Sequence, residues 1–437
     1  MTFRSSFLLP SLATLAIGGS FGSGVVACSS NTIVHVNGNG ADTDGGDGTG
    51  DTEGGVAAGD DAGGGGPVNS DHGPYPAPTG LAPQVETSGG AVLKAPHIVP
   101  VFFPGDALQT QLMDFLTKIG PSQYLAANVA EYGVGAATVG APIVMASNPP
   151  TSLTISSMAS YVATNVVPKA TVDSNTLFVV FIPASTIVTL GQGSQTCKDV
   201  GGYHESTGSG KQVAYAIVPR CQSFVNQQPN LSTLLQVTTA SGTHELIEAM
   251  TDPYPNQTPA YNSVDANHAL WQYILGGAET GDMCAQTPHS FGMNAELGYA
   301  VQRSWSNKAA ASHHDPCVPQ PAGEVYFNAV YEPTETVNLG GNMSTKAMAL
   351  TVGQTKTVEV TLVSDGPMNA FNVAGIPLNP GELTISFDKK GGFNGDKLKM
   401  TVKLNSAPTG GTPLAPFFIV STYGQAQQIW PVGVIAQ

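Results

Sequence analysis

Apolar and polar positions follow two different rhythms along this chain. Between residues 97 and 103 the run His97-Ile98-Val99-Pro100-Val101-Phe102-Phe103 is almost wholly apolar and stops at Pro104-Gly105. That is the pattern of a strand buried on both faces. Thr176 to Ile182 and Val213 to Val218 repeat it. Between these runs the period lengthens. Leu108, Leu112, Phe115 and Leu116 fall on one face of a helix over residues 107–119. Ser122 to Tyr132 predicts a second helix and Ser152 to Val166 a third. Asn230 is placed to cap a long helix through Leu231, Leu234, Leu235 and Val237 to about Met250, which Asp252-Pro253 ends. Strands alternating with helices predict an α/β or α+β domain over residues 76–322.

Beyond residue 322 the helical rhythm disappears. Leu383, Ile385 and Phe387 alternate with Thr384 and Ser386. Leu398, Met400, Val402 and Leu404 alternate with Lys399, Thr401 and Lys403, and Thr357 to Val363 keeps the same beat. Period-two runs between Gly, Pro and Asn turns predict a small antiparallel β-sandwich over 323–437, an accessory or interaction module without site chemistry.

The N-terminal segment has neither rhythm. Arg4, the apolar stretch Phe7 to Ile17 and then Val25-Val26-Ala27-Cys28 have the order of a signal peptide ending in the lipobox of bacterial lipoproteins. On that resemblance Cys28 carries the lipid, and the absence of Asp beside it points to the outer membrane, periplasmic or surface-exposed. Residues 29–75 are Gly/Asp-rich. Asp42, Asp44, Asp47, Asp51, Glu53, Asp60 and Asp61 have no Lys or Arg among them. Such a stretch buries too little apolar surface to offset its chain entropy, which predicts a solvated, disordered tether. No later segment has the length and apolarity of a membrane helix.

Charge then narrows the partners. A net charge of −15 argues against nucleic acid, because phosphate binding requires clustered Lys and Arg. The expected contacts are a peptide or cell-surface polymer, and the membrane through the lipid anchor alone. Cys197, Cys221, Cys284 and Cys317 remain after Cys28, and in an oxidising compartment they imply two disulfides with three possible pairings. Cys197–Cys221 and Cys284–Cys317 are favoured because each closes a short loop.

The candidate chemistry sits in Ser241-Gly242-Thr243-His244-Glu245-Leu246-Ile247-Glu248-Ala249-Met250-Thr251-Asp252-Pro253. It holds HExxE on the predicted helix, so His244 and Glu248, four apart, share a face and are able to meet one ion. Glu245 takes the position at which HExxH metallopeptidases keep the glutamate that polarises water. Downstream, Gly277-Ala278-Glu279-Thr280-Gly281-Asp282-Met283-Cys284 adds two carboxylates, Glu279 and Asp282, in a loop beside a cysteine. The set predicts a zinc site, with calcium as the alternative because three of the four ligands are carboxylates. Glu245 is then the catalytic base. His204, with Glu205 in a Gly-rich loop near Cys197, is a secondary candidate for a fourth ligand or a transition-state stabiliser. His313-His314, beside Asp315, is a weaker one.

The pair HELIEAMTDP and ETGDMC resembles the signature of the phosphate-induced protein / EXORDIUM family, found in plant cell walls and in secreted bacterial and fungal relatives. The resemblance spans roughly residues 90 to 320. It also takes in Cys197, Gly202-Tyr203-His204 and Val213 to Pro219 before Cys221, and the aromatic residues Trp271 and Tyr273 between the two motifs. Carried over residue by residue, His244, Glu245 and Glu248 match the helix motif, and Glu279, Asp282 and Cys284 match the loop motif. Two departures stand out. Thr280 replaces the usual Ile or Val, and the aromatic pair is not contiguous. The resemblance implies a metallopeptidase-like domain. Two functions therefore compete: a zinc-dependent, peptidase-like hydrolase displayed on the cell envelope, and a non-catalytic surface protein binding glycan or protein, with a structural metal site or none.

Overall fold

The computed structural model describes residues 72–78, 82–208, 212–340, 343–409 and 412–437. Cys28, the leader and most of the expected tether lie outside the described residues. The last tether residues are laid against the C-terminal part. His72 stacks on Phe393 at 4.2 Å, and Asn394 Nδ2 donates to the carbonyls of His72 and Pro74.

The first part is built on a six-stranded sheet, in which the short strand Ile143–Val144 pairs parallel with the end of the strand His97–Phe102. In chain order the other five strands are β1 (His97–Phe102), β2 (Thr138–Val139), β3 (Thr176–Val180), β4 (Tyr203–Ser206) and β5 (Ala214–Ile217). Their spatial order is β2-β1-β3-β5-β4, all parallel except β4, which runs antiparallel to β5 at the edge. Both faces are covered, which explains the unbroken apolar runs. On one face, Ile98, Phe102, Leu177 and Val179 pack under helices α1 (Gln109–Ile119) and α2 (Gln123–Val129) and a long helix carrying Leu246, Ile247 and Met250. On the other face, Val99, Val101, Phe178 and Val180 pack against helix α3 (Ile155–Tyr161). The segment predicted as one helix from Ser152 is divided: Ser152–Thr154 is a strand, and Thr154 then caps α3.

The long helix is α4 (Leu234–Thr251), and every residue from Val237 onward is buried. Asn230 does not cap it. Thr233 Oγ1 accepts from the Gln236 N–H at 3.2 Å while Gln236 Oε1 accepts from the Thr233 N–H at 3.0 Å, a reciprocal capping box. Asn230 instead donates to the Phe291 carbonyl. Hydroxyls that would be orphaned inside the helix bond back to its own carbonyls, as Thr243 does to Ala240 and Thr251 to Ile247. This lets a helix rich in Thr and Ser run through an interior.

The second part is a two-sheet β-sandwich. Its strands are β6 (Phe327–Val330), β7 (Glu335–Gly340), β8 (Met343–Leu350), β9 (Thr355–Ser364), β10 (Phe371–Pro377), β11 (Leu383–Phe387), β12 (Gly391–Gly392), β13 (Lys397–Leu404), β14 (Leu414–Tyr423) and β15 (Ala426–Ala436). One sheet has the order β6-β9-β13-β11 and the other β7-β8-β15-β14-β10-β12. All pairings are antiparallel except β8 with β15. Leu398, Met400, Val402 and Leu404 point into the core, as their alternation predicts. That core continues across residue 322. Trp271, on the short helix α5 (Leu270–Leu275), lies edge-on to Trp430 at 5.0 Å and to Trp305 at 6.1 Å, within one apolar cluster. Among the described residues no helix is long and apolar enough to cross a membrane.

Candidate metal centre

Helix α4 sets the first half of the site. One turn apart, His244 Nε2 and Glu248 Oε2 stand 3.0 Å from each other, both fully buried. The short helix α6 (Asp282–Ala285) begins directly above them. Its first N–H, from Asp282, donates to Glu248 Oε1 at 3.0 Å, and Asp282 Oδ1 lies 3.7 Å from His244 Nε2. The approach is close because residue 281 is glycine. A Cβ there would sit 2.7 Å from Glu248 Oε1 and 2.8 Å from His244 Nδ1. Gly281→Ala is therefore expected to destabilise the chain by about 1–3 kcal/mol, read from the urea midpoint, because neither neighbour has room to withdraw.

A residue the sequence did not point to orients the imidazole. Gln302 Nε2 donates to the Gly281 carbonyl at 2.7 Å, so its Oε1 faces His244 Nδ1 at 3.0 Å. The network thus assigns the proton to Nδ1 and leaves the Nε2 lone pair toward Glu248 and Asp282, the arrangement of a ligating histidine with its supporting partner. Gln302 is far away in sequence and carries no motif, so nothing could have flagged it.

Glu279 does not join this trio. The ligand atoms of His244, Glu248 and Asp282 lie within 4.8 Å of one another, as do those of His204, Asp252 and Glu279, and a third trio, His204, Glu245 and Glu248, links the two. His204 corrects its sequence reading in its placement. It lies on edge strand β4, not in a loop, and it is 1 % exposed. Its Nε2 is 3.4 Å from Glu279 Oε1 and 3.1 Å from the Asp252 carbonyl, and its Nδ1 is 3.6 Å from Glu248 Oε2 and 3.8 Å from Glu245 Oε2. Asp252 was taken only as a helix stop. Its place four residues after Glu248, just past the last helical turn, was the available signal. Glu245 lies between the two groups, under Gly202, where a Cβ would fall 2.7 Å from Glu245 Oε1.

The electrostatics are one-sided. Five carboxylates, on Glu245, Glu248, Asp252, Glu279 and Asp282, are at most 3 % exposed. Among the described residues their only ion-pair partners are the two imidazoles, with no Lys or Arg. Both oxygens of Glu245, both of Glu279 and Oδ2 of Asp252 accept no hydrogen bond. Burial pushes the pKa values of Glu245, Glu279, Asp282 and Asp252 upward, with repulsion from Glu248 adding to each. Burial depresses His204, but Glu279, Glu245 and Glu248 around it outweigh that and hold it well above the usual histidine range. Buried anions without donors fit a cation, since each costs several kcal/mol when left uncompensated.

The remaining candidates lie elsewhere. Cys284–Cys317 and Cys197–Cys221 are both disulfides, the first fastening α6 to the strand Cys317–Val318. Glu205 accepts from the Ser206 N–H and from Asn256. Trp271 is part of the core and Tyr273 is half-buried against it. His314 pairs with Asp365 on the sandwich, and Asp315 pairs with Arg303.

No protein-family profile matches the chain, and no curated protein does. Among solved structures, domains 4 and 5 of the S-layer protein SbsC align at 20 % identity over 25 % of this chain and 48 % of that one, with a TM-score of 0.16. The chain therefore spans less than half of that fragment. A chimeric titin Z1Z2 carrying a decorin peptide aligns at 13 % identity over 21 % of this chain and 85 % of that one, with a TM-score of 0.15. Likenesses this slight say nothing about function.

Proposed function

We propose that this chain is a zinc-dependent, peptidase-like hydrolase held on the cell envelope, with His244, Glu248 and Asp282 as the residues that hold the ion. The observation that carries this reading is the convergence of one nitrogen and two carboxylate ligand atoms within 4.8 Å, with Glu245 alongside and accepting no hydrogen bond. Two imidazoles nearby favour zinc over calcium, which takes six to eight oxygens. A bound dication supplies a Lewis acid. Glu245 then acts as the proton acceptor for water, its basicity raised by burial. With a single cation bound, His204, 3.8 Å from Glu245, offers an N–H to developing negative charge. Leader, lipobox cysteine and acidic stretch make the envelope the expected setting, and the HELIEAMTDP and ETGDMC motifs keep the EXORDIUM-like affiliation as part of the proposal.

One observation favours a second reading. All seven side chains of the cluster are 3 % exposed or less. A cation sealed this way would fasten α4, β4 and the turn before α6 together, as in a non-catalytic surface protein. Metal analysis of the full chain and of His244→Ala tests the shared premise: about one bound dication or more in the wild type and a loss in the variant. Hydrolysis of an unstructured peptide separates the two readings.

Acidity provides a further check. In the cation-free chain the raised carboxyl groups keep protons when folded at pH values where the unfolded chain has released them. Their contribution to stability therefore falls as pH rises from the ordinary range near ~4 through the raised values. His204 acts in the same sense: its contribution is complete below the ordinary histidine value of ~6.5 and is lost as pH climbs through its folded value. The cation-free chain is expected to melt at a higher temperature at about pH 5 than at about pH 8. The loaded chain should show the reverse order, because the cation displaces those protons and binds more tightly as pH rises.

A further inference from the structure

Glu279 has no role in the trio around His244, yet it is fully buried and neither oxygen accepts a hydrogen bond. Its Oε1 faces His204 Nε2 at 3.4 Å. On the other side stands Asp252, whose Oδ1 accepts from the Ala260 N–H at 2.7 Å, while its Oδ2 is buried and accepts nothing. The Asp252 carbonyl oxygen, 3.1 Å from the same imidazole nitrogen, adds a third kind of donor. These groups come from three separate elements: the edge strand β4, the C-terminal end of α4 and the turn before α6. Two carboxylates this close in a dry interior, without Lys or Arg, repel each other unless a proton or a cation lies between them, and a donor set of this kind with an imidazole beside it suits a cation.

We propose that His204, Asp252 and Glu279 form a second divalent-cation position, so that the centre is binuclear with His204 standing between the two ions. This rests on the reading of His244, Glu248 and Asp282 as the first position. If His204 Nε2 is the ligand, Nδ1 carries its proton toward Glu248 and Glu245, 3.6 and 3.8 Å away, the usual partnership of a ligating imidazole with a carboxylate. The donor set, one nitrogen among several oxygens, suits zinc or manganese. Glu245, which lies within 4.8 Å of the ligand atoms of His204 and Glu248 but is assigned to neither proposed position, stays available as the proton acceptor. It also explains why five carboxylates gather here, where one dication offsets two of them and a pair offsets four.

Titration of the metal-stripped full chain with Zn2+, counted by native mass spectrometry, tests this. The expected result is two zinc ions per wild-type chain. Glu279→Gln and Asp252→Asn should each keep the first and weaken the second by at least about tenfold. With Mn2+ in place of zinc, the wild type should give the electron paramagnetic resonance signal of a coupled pair, and each variant the signal of an isolated ion. One zinc in the wild type, unchanged in Asp252→Asn, overturns the second position, leaves the first intact and makes a protonated His204 the internal counter-charge. No bound zinc overturns both. A Glu279→Gln chain that fails to fold leaves the wild-type count and Asp252→Asn to decide.

Discussion

Stripping the metal from the full chain is expected to lower its melting temperature by about 10 °C at neutral pH. The size follows from the charges. Removing the partner of a buried ion costs ~3–5 kcal/mol. In a domain of 150–250 residues each kcal/mol moves the midpoint by ~2–4 °C, which gives roughly 6–20 °C. The cluster is sealed, so the ion should leave slowly at neutrality and faster in mild acid, where protons compete for Glu279 and Asp282. His244→Ala should reproduce by itself the part of the drop that belongs to the ion it holds, after which a chelator removes only an ion held by His204, Asp252 and Glu279. Calorimetry with and without chelator, set beside elemental analysis, reads this out. A wild-type chain that is metal-free after metal-replete purification and indifferent to chelation would sink the cation reading.

The second large effect concerns Glu245. Glu245→Gln is nearly isosteric, and Glu245 is not among the residues of either proposed position. Metal content should therefore stay at the wild-type level while peptide turnover falls by roughly 10²–10⁴-fold, the usual share of a general base. Retained metal with lost turnover marks a base. Lost metal would make Glu245 a ligand instead. If the loaded wild type cleaves no peptide while its metal stays bound and its melting point stays high, the sealed structural centre is the correct description.

Much of this centre was readable before any fold was known, and the parts that were not fail for identifiable reasons. His244 and Glu248 are four residues apart on one helix, and local geometry alone brings them within 3.0 Å. The choice between Glu279 and Asp282 was beyond local reasoning. Both are acids in one Gly-rich loop, and only the turn at Gly281, which lets α6 start against Glu248, selects Asp282. His204 was misread because Gly201-Gly202 and the polar run Tyr203-His204-Glu205-Ser206 look like a surface loop. The run is buried because it forms the edge strand lying against α4. Its polar side chains are accepted there because they face other polar groups. The helix cap was misplaced by three residues because Asn230 is a good cap type, whereas Thr233 has Gln236 three residues on to complete the box.

What the sequence determined by itself is everything set by near neighbours: the buried strand runs, the period-two sandwich, the HExxE face and the short-loop disulfides. These depend on contacts a few residues apart or on strongly apolar runs. Tertiary structure decided which distant acids meet. It assigned Glu279 to His204 and Asp252 and brought Gln302 behind His244. It also carried one apolar core from Trp271 into the sandwich. The reason is the range of the forces. Periodicity records which side of an element turns inward, but the partner waiting there comes from another part of the chain, and only folding brings the two together.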